Sequence, residues 1–242
     1  MNLLASVATG LLALATLQSA SAAAPEDTLA QRMKACVACH GQEGRATNQG
    51  WFPRIAGKPA GYLYNQLRNF RDGNRQNAVM AYLVGHMSDE YLREIADHFA
   101  GLDLPYPPPQ TTGAPAATIA RGEQLVRQGD AARGIPACSS CHGASMTGVA
   151  PAMPGLLGLP RDYLLAQFGA WRSGVRRAAE PDCMGEIARR LSPEDLDAMA
   201  ACVGRVYLVG ISSETRCWLQ CPVTQEQTYC YRGEVCTRCL LA

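Results

Sequence analysis

Residues 36–41 read Cys36-Val37-Ala38-Cys39-His40-Gly41, and residues 138–143 read Cys138-Ser139-Ser140-Cys141-His142-Gly143. In each stretch the two cysteines are three positions apart, which places them on one face of a helical turn, and a histidine follows directly. This spacing lets both thiols form thioethers with the vinyl groups of one porphyrin while the histidine lies beneath the iron. The motifs therefore predict two covalent haem c groups, with Cys36, Cys39, Cys138 and Cys141 as attachment sites and His40 and His142 as iron ligands.

Other uses of paired cysteines fit this sequence less well. A redox dithiol normally follows a strand in a βαβ arrangement, and neither stretch has the alternating pattern of a strand. A zinc site requires four nitrogen or sulfur ligands within reach, and neither stretch has two more nearby. Because the motif occurs twice at equivalent places, chance coincidence is negligible.

The two motifs belong to a longer internal repeat. Downstream of the first motif, the recurring residues include Pro53, Gly57, Pro59, Tyr62, Leu63, Gln66, Arg71, Gly73 and Arg75. Their counterparts, at a constant offset, are Pro154, Gly158, Pro160, Tyr163, Leu164, Gln167, Arg172, Gly174 and Arg176. Between the copies the chain is rich in proline, which fixes φ and removes backbone donors, so it reads as an extended connector. We expect a first domain over 25–104, a linker over 105–118 and a second domain over 119–205.

Apolar residues in both copies recur at the helical period. Tyr62, Gln66 and Phe70 share one helix face, and the second copy repeats the pattern. Ser88 and Ser192 each stand just before acidic residues and a periodic apolar run, as helix N-caps do. No convincing strand pattern occurs in either copy. The sequence therefore predicts an all-α fold of two tandem domains, each built around one covalently attached haem.

A haem iron held by one histidine takes a sixth ligand or keeps an open site. Met80 and Met184 occupy equivalent places, in the loop expected between the aromatic helix and the Ser-capped helix of each copy. Methionine is more often core filler than ligand, and Met87 is a local competitor. Because Met87 aligns with Leu191, we assign the sixth positions to Met80 and Met184. His86 is the rival ligand in the first copy.

The bulk composition limits the class of partner. The chain has 242 residues, with 22 Lys plus Arg against 21 Asp plus Glu. This balance leaves no basic field for nucleic acid or for an anionic membrane surface. The expected partners are redox proteins, and membrane association is expected only through such partners.

The N-terminus predicts export. Residues 1–24 contain a short apolar run followed by small residues that suit signal-peptide cleavage near Ala22 or Ala24. No basic residue precedes the apolar run, so a retained membrane anchor is the alternative, although the run is shorter than the ~20 residues of a spanning helix. The mature protein is expected outside the cytoplasm, either soluble or peripheral to a membrane.

The tail over residues 206–242 breaks the repeat. It contains the cysteines Cys217, Cys221, Cys230, Cys236 and Cys239. Leu240 rather than a histidine follows the last of them, so the tail supplies no third haem motif. Three interpretations remain, namely a disulfide knot, a metal clasp and a frame-shifted translation.

The whole set of motifs resembles the dihaem cytochrome c4 family over residues 28–204. Besides the two haem motifs, the similar segments are Pro53-Arg54-Ile55-Ala56-Gly57 and Tyr62-Leu63-Tyr64-Asn65-Gln66-Leu67-Arg68-Asn69-Phe70-Arg71-Asp72-Gly73-Asn74-Arg75, with Met80 after them. In the second copy Asp182-Cys183-Met184 resembles a subgroup of this family. The resemblance implies two tandem class I cytochrome c domains packed with their haems close together. It also implies periplasmic electron transfer, often to a terminal oxidase or from a membrane-associated dehydrogenase.

Two kinds of function are compatible with two haems. Methionine and histidine together close the iron on both faces, which suits a carrier between a dehydrogenase or quinol-oxidising donor and an oxidase or other acceptor. The alternatives are a dihaem enzyme of the peroxidase or thiosulfate dehydrogenase type and an electron-relay subunit of a membrane-associated dehydrogenase. The symmetry of the repeat favours a carrier that is not an enzyme. Four arginines have two possible roles, since they either pair with haem propionates or lie at solvated helix ends. They are Arg71, Arg75, Arg172 and Arg176.

Overall fold

The computed structural model describes residues 26–47, 50–107, 112–205, 230–231 and 234–235. The predicted signal peptide, part of the predicted linker and most of the tail therefore lie outside the described residues. The chain divides into two compact units, residues 1–34 and residues 35–242, so both haem motifs lie in the second unit. Of the helices that the structure describes, none combines the length and the apolar character needed to cross a membrane.

Helices dominate the described residues, which confirms the predicted all-α class. In the first repeat the helices are α1 (Leu29–Arg32), α2 (Lys34–His40), α3 (Ala60–Arg71), α4 (Ala78–Val84) and α5 (Asp89–Ala100). In the second repeat they are α6 (Ala116–Arg127), α7 (Cys138–His142), α8 (Arg161–Arg172), α9 (Cys183–Arg190) and α10 (Pro193–Arg205). Short 3-10 turns occupy Gln42–Gly44 and Ala131–Arg133.

The described residues include four short strands that the sequence pattern did not predict. In the second repeat, β1 (Gly148–Val149) pairs antiparallel with β2 (Met153–Pro154). In the tail, β3 (Cys230–Tyr231) pairs antiparallel with β4 (Glu234–Val235). Each strand has two residues, which is too short to show a period-two pattern.

The first domain is built on the packing of α3 against α4 and α5. The buried face of α5 carries Leu92, Ile95 and Phe99, as the helical period predicted. Ser88 caps α5, because its side chain accepts a hydrogen bond of 3.2 Å from the Tyr91 backbone N–H. The predicted helix start is therefore confirmed.

The second domain packs α10 against α6 and α8. Ser192 and Asp195 cap α10 reciprocally, since each side chain accepts a hydrogen bond from the other residue's backbone N–H. The crossing of α6 and α10 is close at Gly122, where an added Cβ would lie 2.1 Å from the Ala198 carbonyl oxygen. A glycine is thus required there for the two helices to approach.

The two domains meet through equivalent segments that follow α3 and α8. The backbone N–H of Gln76 donates to the Val175 carbonyl (2.8 Å), and that of Arg177 donates to the Asn74 carbonyl (2.7 Å). Between these bonds, Arg75 and Arg176 form an antiparallel bridge. Because the paired segments occupy the same place in each repeat, the contact has an approximate twofold symmetry.

Candidate haem sites

The motif cysteines lie on the short helices α2 and α7. Cys36 and Cys39 are one turn apart on α2, and Cys138 and Cys141 repeat this on α7. All four side chains are half-buried, and neither Cys36 nor Cys39 forms a disulfide. Burial raises the pKa of the Cys36 thiol and raises that of Cys138 to about 12. These thiols are therefore protonated near neutral pH, unlike the activated cysteine of a redox dithiol.

The motif histidines are held by the same contact in both domains. Nδ1 of His40 lies 2.9 Å from the Pro53 carbonyl oxygen, and Nδ1 of His142 lies 2.7 Å from that of Pro154. A carbonyl can only accept, so Nδ1 carries the proton and Nε2 keeps its lone pair for a metal. Burial lowers the pKa of both imidazoles, which keeps them neutral as iron ligands must be.

The loop after each motif folds back in the same way. In the first domain the Gly44 carbonyl accepts from two backbone N–H groups, and in the second the Met146 carbonyl does so. Met146 is fully buried and has a positive φ of 55°, where its counterpart Gly44 has 75°. Its backbone position and burial identify Met146 as a packing residue, in keeping with its lack of a methionine counterpart in the first repeat.

Met80 lies in a helix and not in the loop that the sequence predicted. Asn77 caps α4, and its side-chain oxygen accepts a hydrogen bond of 3.0 Å from the Met80 backbone N–H. The Met80 side chain is half-buried, and Val84, one turn later on the same side, is buried. The helix was missed because seven residues are too few to establish a helical period.

Met184 occupies the matching position in the second domain, near the start of α9. Asp182 caps this helix by accepting a hydrogen bond of 2.9 Å from the Gly185 N–H. The side chain of Met184 packs against the hydrophobic core of the second domain, and so does that of Cys138. The predicted ligand and the predicted attachment site thus border one core. Cys183, to which the sequence assigned no role, is disulfide-bonded.

The two rival ligands of the first domain lie in the turn between α4 and α5. His86 is exposed there, and Met87 is half-buried. The backbone of Met87 is engaged in the turn, where its N–H donates to the Val84 carbonyl (3.0 Å) and its carbonyl accepts from Arg71 (3.1 Å). Neither residue has a counterpart of the same type in the second domain.

The four arginines separate into two pairs. Arg71 forms ion pairs with Asp72 (2.9 Å) and Asp89 (2.7 Å), and Arg172 is exposed. Arg75 and Arg176 are buried, with 9% and 6% of their surfaces exposed. The interpretation as solvated helix ends therefore does not apply to Arg75 and Arg176.

Arg75 and Arg176 are bound at the domain contact by neutral side chains. Arg75 donates to Gln66 (2.8 Å), Gln167 (2.6 Å) and the Tyr163 hydroxyl (2.9 Å). Arg176 likewise donates to Gln167 (2.6 Å) and Gln66 (3.2 Å). This cluster was not assigned from the sequence, although recurring polar residues on an otherwise apolar helix face were a usable signal.

Lys58 is a second feature that the sequence analysis missed. It is buried, and its ammonium group donates to the Gly155 carbonyl in the opposite domain. Gly155 follows Pro154, whose carbonyl holds His142. Burial lowers the pKa of Lys58 to about 7. The second repeat has Leu159 in the equivalent place, so the contact has no symmetry mate.

The residues present fit a covalent haem better than a metal ion alone. Within the described residues, no cluster of three or more His, Cys, Asp or Glu side chains is arranged to hold a metal ion, which disfavours a zinc site. Each motif combines two cysteines with a histidine whose Nδ1 is bound to a carbonyl, so that only its Nε2 is left to bind an iron. In the second domain the Trp171 indole N–H is also buried without a hydrogen-bond partner, as a contact to a bound group would explain.

Comparisons with known proteins agree with this chemistry. The family model described as "Cytochrome c" matches residues 28–96. A "Thiosulfate dehydrogenase electron acceptor" of Thiomonas intermedia is 38% identical over 192 residues, covering 78% of this chain and 87% of that protein. "Cytochrome c4" of Pseudomonas aeruginosa is 35% identical over 179 residues, covering 72% of this chain and 86% of that protein.

Solved structures share the fold. Reduced cytochrome c4 from Pseudomonas stutzeri matches with a TM-score of 0.64 and 28% identity, covering 73% of this chain and 96% of that one. A thiosulfate dehydrogenase (TsdBA) from Marichromatium purpuratum also matches with a TM-score of 0.64, at 30% identity. That match covers 72% of this chain but only 36% of the Marichromatium chain.

Proposed function

We propose that this chain accepts electrons from a thiosulfate-oxidising dehydrogenase and delivers them to a terminal oxidase or another cytochrome. The chain belongs to the cytochrome c4 family of dihaem electron-transfer cytochromes. The donor class is suggested by relatives described as thiosulfate dehydrogenase electron acceptors, two of which are 37–38% identical to this chain. The acceptor class follows from the family resemblance.

Each domain holds one covalent haem c, which when bound supplies an iron that changes between the ferrous and ferric states. We assign the thioether bonds of the first haem to Cys36 and Cys39, and those of the second to Cys138 and Cys141. His40 and His142 supply the proximal nitrogens, with their Nδ1 protons held by Pro53 and Pro154. We assign the sixth positions of the two irons to Met80 and Met184.

The observation that carries this proposal is that the same contact, between a histidine Nδ1 and a proline carbonyl oxygen, occurs in both domains. The Nδ1 contacts of 2.9 Å and 2.7 Å fix the tautomer and orientation of both rings, as outer contacts do at metal sites. A methionine near the start of the equivalent helix in each domain provides the sixth ligand. Two irons closed on both faces can exchange electrons but cannot readily bind a substrate.

A thiosulfate-oxidising enzyme is the second candidate, because a thiosulfate dehydrogenase structure shares the fold over 72% of this chain. Such an enzyme would require one displaceable iron ligand, and so an asymmetry between the two sites. The matched positions of Met80 and Met184 favour the carrier.

Thiosulfate oxidation distinguishes the two functions directly. The oxidised protein is mixed with thiosulfate, either alone or together with a catalytic amount of a thiosulfate dehydrogenase, and haem reduction is followed by absorbance. The carrier is expected to remain oxidised with thiosulfate alone and to be fully reduced when the dehydrogenase is added. Reduction of the haems by thiosulfate alone, followed by continued thiosulfate oxidation when an artificial electron acceptor such as ferricyanide is added, would establish the enzyme instead.

Export to the periplasm is part of the proposal. Its support is the predicted signal peptide over residues 1–24, together with the relation to cytochromes c4. The domain limits of 25–104 and 119–205, with a linker over 105–118, are proposed on the same basis. N-terminal sequencing of the secreted protein, with cleavage near Ala22 or Ala24 as the expected result, tests the location.

A further inference from the structure

The indole N–H of Trp171 is the starting point. Its Nε1 is the one buried side-chain nitrogen or oxygen without a hydrogen-bond partner among the residues that the structure describes. A buried donor left unpaired is costly, and native proteins rarely tolerate it unless a bound group or water satisfies it. The Trp171 side chain packs against the same hydrophobic core as Cys138 and Met184, the residues assigned to the second haem.

A buried positive charge lies beside this donor. The Arg176 guanidinium carbon is 3.8 Å from the centre of the Trp171 ring. Its hydrogen-bond partners are the neutral side chains of Gln167, Gln66 and Tyr62, and no carboxylate in the described part of the chain pairs with it. An unpaired N–H next to a buried, uncompensated cation is a site for an anion. Every haem c carries two propionate carboxylates, which are anions of the required kind.

The first domain has half of this arrangement. There the Arg75 guanidinium carbon lies 4.5 Å from the centre of the Phe70 ring, and Arg75 is also bound by neutral side chains. Phe70 occupies the place of Trp171 in the repeat but has no N–H to donate. The two haem surroundings therefore differ by one hydrogen-bond donor.

We propose that the Trp171 N–H donates a hydrogen bond to a propionate of the second haem, beside the Arg176 guanidinium, and that the first haem lacks this bond because Phe70 replaces the tryptophan. The proposal rests on the haem assignment of the proposed function. The Trp171 bond would then give the two haems different reduction potentials.

The consequence concerns the reduction potential of the second haem. A propionate carries a negative charge that stabilises the ferric iron, and a hydrogen bond from Trp171 withdraws part of that charge. Hydrogen bonding around a haem is one of the means by which a protein sets its potential. The bond therefore raises the potential of the second haem and leaves that of the first unchanged.

The test uses two reciprocal variants of the full dihaem protein, Trp171→Phe and Phe70→Trp. Phenylalanine keeps a ring against Arg176 and removes only the donor, so packing changes are small. Potentiometric titration of Trp171→Phe is expected to show one midpoint shifted to lower potential and the other unchanged, with two haems still bound. Phe70→Trp is expected to raise the other midpoint, because it supplies the missing donor to the first domain.

The outcomes separate this inference from the proposed function. Two bound haems with unchanged midpoints in Trp171→Phe would overturn the inference, because the N–H would then be satisfied by water, and would leave the electron-carrier function intact. Fewer than two haems in the unaltered protein would overturn the function itself. If Trp171→Phe fails to incorporate haem, the 15N-labelled wild-type protein decides. Its indole N–H is expected to be protected from exchange and to shift on oxidation, and an exchanging, unshifted signal would refute the bond.

Discussion

Met80 and Met184 are the residues on which the difference between carrier and enzyme depends. Each lies within the first turn of a short, side-chain-capped helix, and each is half-buried. The repeat allowed both to be selected from the sequence, since Met87 and His86 have no like counterparts. What the sequence did not show is that the two proposed ligand positions are helical, because the caps at Asn77 and Asp182 start helices of only seven and eight residues.

Replacing each methionine tests this assignment. Met80→Ala and Met184→Ala are each expected to remove one methionine–iron charge-transfer band and to lower one midpoint potential, since losing the thioether favours ferric iron. Optical spectra of the oxidised protein and redox titration provide the measurement. Met87→Ala is the matched control and should change neither. Loss of the band in Met87→Ala, with Met80→Ala unaffected, would show that the first-domain ligand is wrong.

At the scale of elements, the crossing of α6 with α10 and the cap at the start of α10 both contribute to the second domain. The crossing of α6 and α10 depends on Gly122, and the start of α10 depends on Asp195, which is 4% exposed. Sequence periodicity predicted α10, since its buried residues Leu196, Met199 and Val203 follow the helical period. It could not predict the crossing, because a close approach of two helices leaves no periodic signal beyond a single glycine.

Gly122→Ala is expected to destabilise the protein, because its Cβ would lie 2.1 Å from the Ala198 carbonyl oxygen and the helices would have to separate. Overpacking of this kind costs about 1–3 kcal/mol. Gly169→Ala in α8 is the matched control, since no atom lies within 4 Å of its added Cβ. The control should instead gain about 0.4–1 kcal/mol from reduced chain entropy and better helix propensity. Denaturant unfolding of the holoprotein measures both, and equal effects would contradict the packing argument.

Asp195 gives the second domain an acid-sensitive contact. Burial by itself raises the pKa of Asp195. Hydrogen bonds from Arg133, the Ser192 backbone and Arg121 outweigh this effect and lower the pKa to about 2. A carboxyl with a lowered folded-state pKa stabilises the fold above its unfolded pKa of about 3.9, and the contribution is lost as the pH falls towards 2.

Asp195→Asn is therefore expected to lower the free energy of unfolding at neutral pH by on the order of 2 kcal/mol, and the difference from wild type should shrink between about pH 4 and pH 2. Denaturant midpoints measured across this pH range provide the check. Asp89→Asn, which alters a more exposed ion pair with Arg71, should have a much smaller effect. A pH-independent difference for Asp195→Asn would contradict the role of its charge.

At the scale of the whole molecule, the sequence predicted two tandem cytochrome domains, and the structure and the relatives confirm this. It did not predict how they meet. Arg75 and Arg176 were selected as candidates near the haem edges, yet they form a symmetric contact with Gln66 and Gln167 across the two domains. Local patterns carry no information on pairing between residues so far apart in sequence. Most of the cysteine-rich tail lies outside the described residues, so its three interpretations stay open.

The near balance of 22 basic and 21 acidic residues gives the molecule no strong field to attract a partner. Electron exchange with redox proteins should then depend on local surfaces and respond weakly to salt. The symmetry of the two sites and the direct contact between the domains both suit a molecule that holds two electrons in transit.

A stoichiometric reductive titration of the purified, oxidised holoprotein tests this account most directly. The protein is titrated anaerobically with a one-electron reductant while the haem absorbance and the methionine–iron band are recorded. We expect the chain to take up two electrons, with about half of the methionine–iron band lost as each of the two haems is reduced. Uptake of one electron or none per chain, or a band that accounts for only one of two haems, would contradict it.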